Sequence, residues 1–232
     1  MYLLTETASP FALERWAAFF ANFGQFAKGF FYTLGISIGA LIVALLLGLI
    51  FGAMSSTHNK VLRGISRVYV EIFQNTPLLV QFVVVFYGIS ILTDGHIMIP
   101  ISLTAILCVG VYTGAYISEI IRTGIEAVPK GRTEAALSQG FTYADTMRII
   151  ILPQAVRTIL PPLTNQVVNL IKNTSTVAII SGADIMFTAK AWAYDTTNYV
   201  SAFAGAAFLY FIMCFPLATW ARRKEEENKK AY

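Results

Sequence analysis

Four stretches without a single Asp, Glu, Lys or Arg decide what this chain can become. Residues 29–59, 72–93, 95–118 and 196–221 carry none of these charges, and each reaches the roughly 20 residues that a helix needs to cross a bilayer. Of 232 residues only 13% are charged, about half the share of a typical soluble domain. The stretches predict four spanning helices in an all-α, polytopic membrane protein. A fifth is required between Pro153 and Asp195, where Arg157 and Lys172 enclose 14 uncharged residues and Lys172 and Asp184 enclose 11. In this region Asn165, Asn169, Lys172 and Thr176 recur every three or four positions, which predicts one polar face on a helix. Such a stripe belongs against protein or water, because a Lys near the bilayer centre costs about 2.5–3.5 kcal/mol.

Orientation follows from the basic residues. With five spans, thirteen of the 17 Lys and Arg, from Lys60 to Lys230, fall in segments on one side, and only Arg15, Lys28 and Lys190 on the other. Positive residues stay inside, so the N-terminus is expected outside and the C-terminus in the cytoplasm. The net charge of +4 is a topology signal and not a footprint for nucleic acid, since no aromatic and basic residues interleave on a polar face. Residues 1–24 are expected to form an interfacial helix on the outer face, with Ser9 as N-cap, Pro10 as first helical residue, and Phe11, Trp16, Phe19 and Phe20 as its aromatic anchors. Residues 25–222 are expected to form the membrane domain, and 223–232 a charged cytoplasmic tail whose cluster from Arg222 to Lys230 reads as a stop-transfer signal, with a lipid-headgroup role as the lesser alternative. No removable signal peptide is expected. Cys108 and Cys214 lie in apolar spans and read as packing thiols. His58 and His96 fall on opposite sides of the membrane, so no histidine metal cluster is available. Gly35, Gly39, Gly48 and Gly52 in the first span predict close helix packing, while Pro77 and Pro161-Pro162 predict kinks or breaks.

One polar segment, residues 130–153, has an order that an ordinary loop does not need. Thr133 precedes Glu134, Ala135 and Ala136, a carboxylate and two strong helix formers. Gly140 can turn left-handed and close that helix, Thr142 with Asp145 forms an N-cap signature for the next, and Pro153 is expected to end or kink the second helix. The run Glu-Ala-Ala, three residues, Gly, nine residues, Ile-x-Leu-Pro, from Glu134 to Pro153, resembles the signature loop of permease subunits in ATP-binding-cassette importers. Asn75-Thr76-Pro77-Leu78-Leu79-Val80-Gln81 and Lys172-Asn173-Thr174-Ser175-Thr176-Val177 resemble flanking motifs of the polar amino acid branch, and the likeness covers most of residues 25–222. One departure stands out: Gln74-Asn75 replaces the Arg-Gly that often precedes Thr-Pro-Leu there.

That resemblance implies the type I importer fold in the bacterial cytoplasmic membrane. It implies that Glu134, Ala135, Ala136 and Gly140 belong to a coupling helix seated on a separate cytoplasmic ATPase dimer. ATP and Mg would be bound there, which agrees with the lack of a P-loop in this chain. A second permease, identical or homologous, and an extracytoplasmic solute-binding protein complete the implied assembly. For the solute path the candidates are Gln81, Glu119, Asn165, Asn169, Lys172 and Thr176, because an amino acid zwitterion needs donors for its carboxylate and acceptors for its ammonium. The same Asn and Lys residues serve equally well as hydrogen-bonded links between helices. Glu119 with Arg122, and Arg67 with Glu71, read as ion pairs along helix faces. Two other classes stay open: an ion-coupled secondary transporter, which usually shows an inverted repeat that is not found here, and a membrane anchor that recruits an enzyme through residues 130–153.

Overall fold

Close contact between two helices sets the frame, α2 (Phe23–Ser55) and α6 (Ile101–Glu126). Lipid tails are as apolar as leucine, so helices gain by associating only where small residues let their backbones approach. On α2 the buried residues Ala40, Ala44, Gly48 and Gly52 recur every four positions. A Cβ built on Gly48 would stand 2.4 Å from Ile117 Cγ2, and one on Gly52 would stand 2.8 Å from Ile121 Cβ. The fit is reciprocal, because a Cβ on Gly110 of α6 would meet Val43 at 2.7 Å. Gly39 packs likewise against Ile106, whereas Gly35 has open space around it and is no part of the contact.

The computed structural model describes Ser9 and residues 11–230, which form helices joined by turns and short irregular connections. Its elements in chain order are α1 (Leu13–Ala21), α2, α3 (Lys60–Gln74), α4 (Leu78–Val83), a π-helical turn (Val84–Gly88), α5 (Ile89–Leu92), α6, α7 (Lys130–Ser138), α8 (Tyr143–Asp145), a second π segment (Thr146–Ile151), α9 (Leu152–Asn173), a 3-10 segment (Thr174–Ile180), α10 (Ile185–Thr196) and α11 (Tyr199–Lys230). Among the described residues three helices, α2, α6 and α11, are long and apolar enough to cross a membrane on their own. α9 has 22 residues but is not one of these three, because Arg157, Asn165, Asn169 and Lys172 dilute its apolar surface.

The span expected over 72–93 is broken near its start, at the kink or break that Pro77 predicts. The chain bends by 97° between α3 and the α4–α5 run. Pro77 has no N–H to continue α3, and the residue before a proline is driven out of the helical region. Polar side chains take up the carbonyls left open at the corner: Asn75 Nδ2 donates to Glu71 O at 2.8 Å, Thr76 Oγ1 to Ile72 O at 2.8 Å, and Gln81 Nε2 to Phe73 O and Thr76 O. Without such partners each group would cost several kcal/mol in hydrocarbon.

Further expectations turn out differently in part. Pro153 does not end its helix: the chain is already wound wide over Thr146–Ile151, α9 begins at Leu152 with Pro153 in its first turn, and Gln154 Nε2 donates to Ile150 O at 2.7 Å beside the missing N–H. Pro161 and Pro162 lie inside α9 without breaking it, and α11 continues through Lys230, so the charged tail is helical that far. At the other end the helix starts at Leu13 and not at Ser9, whose hydroxyl instead accepts from Phe11 N; Pro10 lies outside the described residues. Phe19 does not face lipid but is buried between Phe26 and Trp192, and Arg15 donates to Thr197 O at 2.9 Å, so α1 is docked on the α2, α10 and α11 ends.

Filling the α2–α6 seam is expected to destabilise the protein. Gly48→Val should cost about 1–3 kcal/mol through overpacking, while Gly35→Ala, where a Cβ meets nothing, should gain up to about 1 kcal/mol of helix propensity. Thermal unfolding of detergent-purified variants, followed by loss of the monodisperse peak, gives both signs.

Candidate functional site

The segment 130–153 folds as a locked hairpin of helices. Pro129 caps α7 with extended backbone, so the helix begins at Lys130, three residues ahead of Thr133. Its far end closes on Gly140, held at φ +87. Phe141 N donates to Ala136 O at 3.2 Å and Gly140 N to Leu137 O at 3.0 Å, the pair of bonds that defines a Schellman closure with its left-handed residue at Gly140. Thr142 then accepts from Asp145 N at 3.2 Å and donates to Asp145 Oδ2 at 2.5 Å, opening the next helix. Thr146, wholly buried, returns its hydroxyl to Thr142 O. Of the predicted coupling residues, Ala136 points inward and is buried, whereas Glu134 and Ala135 are exposed with Leu137 and Phe141 beside them. One face of α7 is thus fixed to the π segment while the other is presented outward.

A polar cleft of about 870 Å³ opens between the α2–α3 corner, α3 and the C-terminal half of α6, a size within the range of small-molecule sites. Arg63, Arg67 and Glu71 line it from α3, Glu119, Arg122 and Glu126 from α6, and Lys130 from the start of α7. Arg122 bridges both carboxylates: Nε donates to Glu119 Oε2 at 3.0 Å with a second bond to Glu119 Oε1, and Nη1 donates to Glu126 Oε2 at 2.5 Å. The Arg67–Glu71 pair, 3.7 Å apart and largely solvated, contributes little by comparison. His58, which also lines the cleft, stacks edge-on against Tyr143 of α8 with ring centroids 5.6 Å apart. The cleft wall therefore touches the α7–α9 hairpin.

The predicted path residues do not converge. Only Glu119 lines the cleft. Gln81 spends its amide on the corner at 73–77, and its Oε1 is buried without a hydrogen-bond partner among the described residues. Asn165, Asn169 and Lys172 share a face of α9 that this chain leaves exposed, but Thr176 does not extend it, because α9 ends at Asn173 and Thr176 lies half-buried in the 3-10 segment. Gln74, at the departure from the family pattern, donates to Ala115 O of α6 at 3.2 Å and ties the end of α3 to the frame.

Two features escaped the sequence reading. Tyr112 and Tyr116 lie on α6 with hydroxyl oxygens 3.1 Å apart and rings 5.1 Å apart. With Glu119, Thr123 and Glu126 they recur at 112, 116, 119, 123 and 126, one helical face that runs into the cleft; that spacing was the available signal. Asp184, fully buried, caps α10 by accepting from Met186 N at 2.9 Å, and Thr33 of α2 accepts from Ile185 N at 3.1 Å. A lone Asp between apolar runs carries no spacing that marks it.

Comparison with known proteins adds to this geometry. The profile of a family described as binding-protein-dependent transport system inner membrane component matches residues 44–225. The probable glutamine ABC transporter permease protein GlnM of Bacillus subtilis is 36% identical over 216 residues, covering 92% of this chain and 97% of the relative. The glutamate/aspartate import permease protein GltJ of Escherichia coli is 33% identical, covering 82% and 85%. Among solved structures, a crystal structure of an amino acid ABC transporter with histidines superposes with a TM-score of 0.84 at 30% identity, over 91% of this chain and 98% of that one. An inward-facing methionine ABC transporter, at 16% identity and a TM-score of 0.69, shares the fold.

The bridging of Glu119 and Glu126 by Arg122 predicts that Arg122→Met destabilises the protein by about 1 kcal/mol, reduced from a fully buried triad by partial solvation. In an Arg122→Met/Glu119→Gln/Glu126→Gln variant most of that loss should be recovered, as read from thermal unfolding of the two.

Proposed function

The chain belongs to the family of binding-protein-dependent transport system inner membrane components, and from that premise we propose how its parts serve as the permease subunit of an ATP-binding-cassette importer for polar amino acids. It is the membrane subunit and holds no nucleotide chemistry of its own. The observation that carries the mechanism is the two-faced α7: Glu134, Ala135 and Leu137 look outward, while Ala136 is buried on the side packed on the π segment that leads into α9 and the left-handed Gly140 closes the helix. Exposed small residues let a partner surface lie close, and a fixed turn passes a push on without absorbing it. A cytoplasmic ATPase dimer is the partner whose closure on ATP and Mg would supply the push. The energy enters as tighter binding to one arrangement of the spans than to the other. The distribution of Lys and Arg supports an outside N-terminus and a cytoplasmic C-terminus, which places the cleft and α7 on the cytoplasmic side.

On this reading the cleft is the inner end of the solute path. Its Arg and Lys side chains offer donors to a carboxylate, and Glu71, Glu119 and Glu126 offer acceptors to an ammonium. The exposed stripe Asn165, Asn169 and Lys172 faces the second permease or the passage between the two copies, and a solute-binding protein delivers cargo from outside. The family supports the identity of these partners, and the names of the relatives support the substrate class.

Two outcomes test the reading with purified permease, ATPase and binding protein in proteoliposomes. Gly140→Val forces a β-branched residue into a left-handed turn and should cut uptake per ATP hydrolysed by about tenfold, whereas wild-type coupling would remove the lever. Lys172→Met should weaken uptake of L-glutamate and L-glutamine, which share the α-carboxylate, if the stripe lines the passage; unchanged uptake kinetics for both would leave it a packing residue.

A further inference from the structure

We propose that Tyr112 and Tyr116 read the ammonium group of the solute in the middle of the membrane, as specificity-determining residues of the passage. The proposal rests on the amino-acid permease reading above and adds a site to it.

Position is the first argument. Tyrosines of membrane helices gather at the two water interfaces, where the ring sits in the boundary and the hydroxyl reaches water. Tyr112 and Tyr116 instead lie near the centre of the 26-residue α6, and both are only half-buried in this chain. A hydroxyl turned toward lipid at that depth would be unsatisfied. Among the described residues their hydroxyl hydrogen bond is with each other, at 3.1 Å. That bond uses one of two O–H groups. The pair keeps one free donor and several acceptor lone pairs, so it is incomplete without another polar group.

Direction is the second argument. The pair begins the face that continues through Glu119, Thr123 and Glu126, so a solute leaving it toward the cytoplasm meets the Glu119–Arg122 bridge and the cleft. Two tilted rings 5.1 Å apart with oxygen lone pairs at their tips suit a cation, by hydrogen bonds and by the negative ring faces. They offer little to a carboxylate beyond one donor. Tyr112 packs against the core shared by α2, α4, α6 and α9, and Tyr116 is held against it by the hydroxyl bond and the ring contact.

The test uses the purified permease–ATPase complex in nanodiscs without a binding protein. Equilibrium binding of radiolabelled L-glutamine, L-glutamate and L-histidine identifies which of these amino acids the wild type holds. The α-hydroxy acid analogue of that amino acid, lacking the ammonium, then competes with it. The wild type is expected to prefer the amino acid by about tenfold or more, the scale of a hydrogen bond to a charged group. A Tyr112→Phe/Tyr116→Phe double variant should lose most of that preference by binding the amino acid more weakly while keeping its affinity for the analogue. Tyr194→Phe, exposed on α10, should keep both wild-type values. An unchanged preference in the double variant overturns the proposal, and so does a parallel fall for both ligands, which a purely structural pair would produce. If the wild type binds none of the three amino acids, the reading on which the proposal rests falls with it.

Discussion

Backbone contact between α2 and α6 is the constraint on which the remaining architecture depends. Hydrocarbon gives no reward for burying leucine, so the frame has to come from dispersion at short range, and short range requires glycine and alanine on both surfaces. Gly48 and Gly52 meet Ile117 and Ile121, and Gly110 meets Val43. With α6 fixed, each further element finds its place on it: Tyr69 of α3 donates to Val111 O at 2.7 Å, Gln74 reaches Ala115 O, and Gly124 receives Ile159 of α9. The face of α6 opposite this packing is left to the tyrosines and to Glu119.

A second constraint is the satisfaction of backbone polar groups wherever the chain departs from regular helix. Three departures carry their own side-chain partners. The corner at 75–77 has Asn75, Thr76 and Gln81, the turn before α10 has Asp184 and Thr33, and the wide winding before Pro153 has Gln154. These residues look like chemistry in a sequence, since Asn, Gln and Asp are rare in apolar surroundings. Here their amides and carboxylates are consumed by the backbone, which is why Gln81 is a corner residue first.

How much was legible follows from the same physics. Uninterrupted apolar runs became α2, α6 and α11, because length and lack of charge alone decide that a segment can span. The run 72–93 had the same composition yet bent at Pro77, as that proline predicts; what an absence of charge does not register is the three side chains that complete the corner. Gly140 and the Thr142–Asp145 cap were readable because closure and capping are local and depend on a few adjacent residues. α7 starts four residues ahead of Glu134, because Pro129 serves as its cap where Thr133 had the composition of one. The stripe through Thr176 failed where the winding tightened from α to 3-10 after Asn173, which changes the residues that share a face. Tyr112 and Tyr116 passed unnoticed because their meaning depends on Glu119 below them.

What joins the frame to the proposed work is stiffness: α7 and the base of α9 have to travel together if closure of an ATPase is to reach the spans. Electron-spin distance measurements address this directly, with labels at Ser138 on α7 and Thr158 on α9 in the permease–ATPase complex, compared without nucleotide and with ATP trapped. The account predicts one unchanged distance between Ser138 and Thr158 within a subunit, and a changed distance between the Thr158 positions of the two permease subunits. A shift in the distance within the subunit, with the distance between subunits constant, would contradict it.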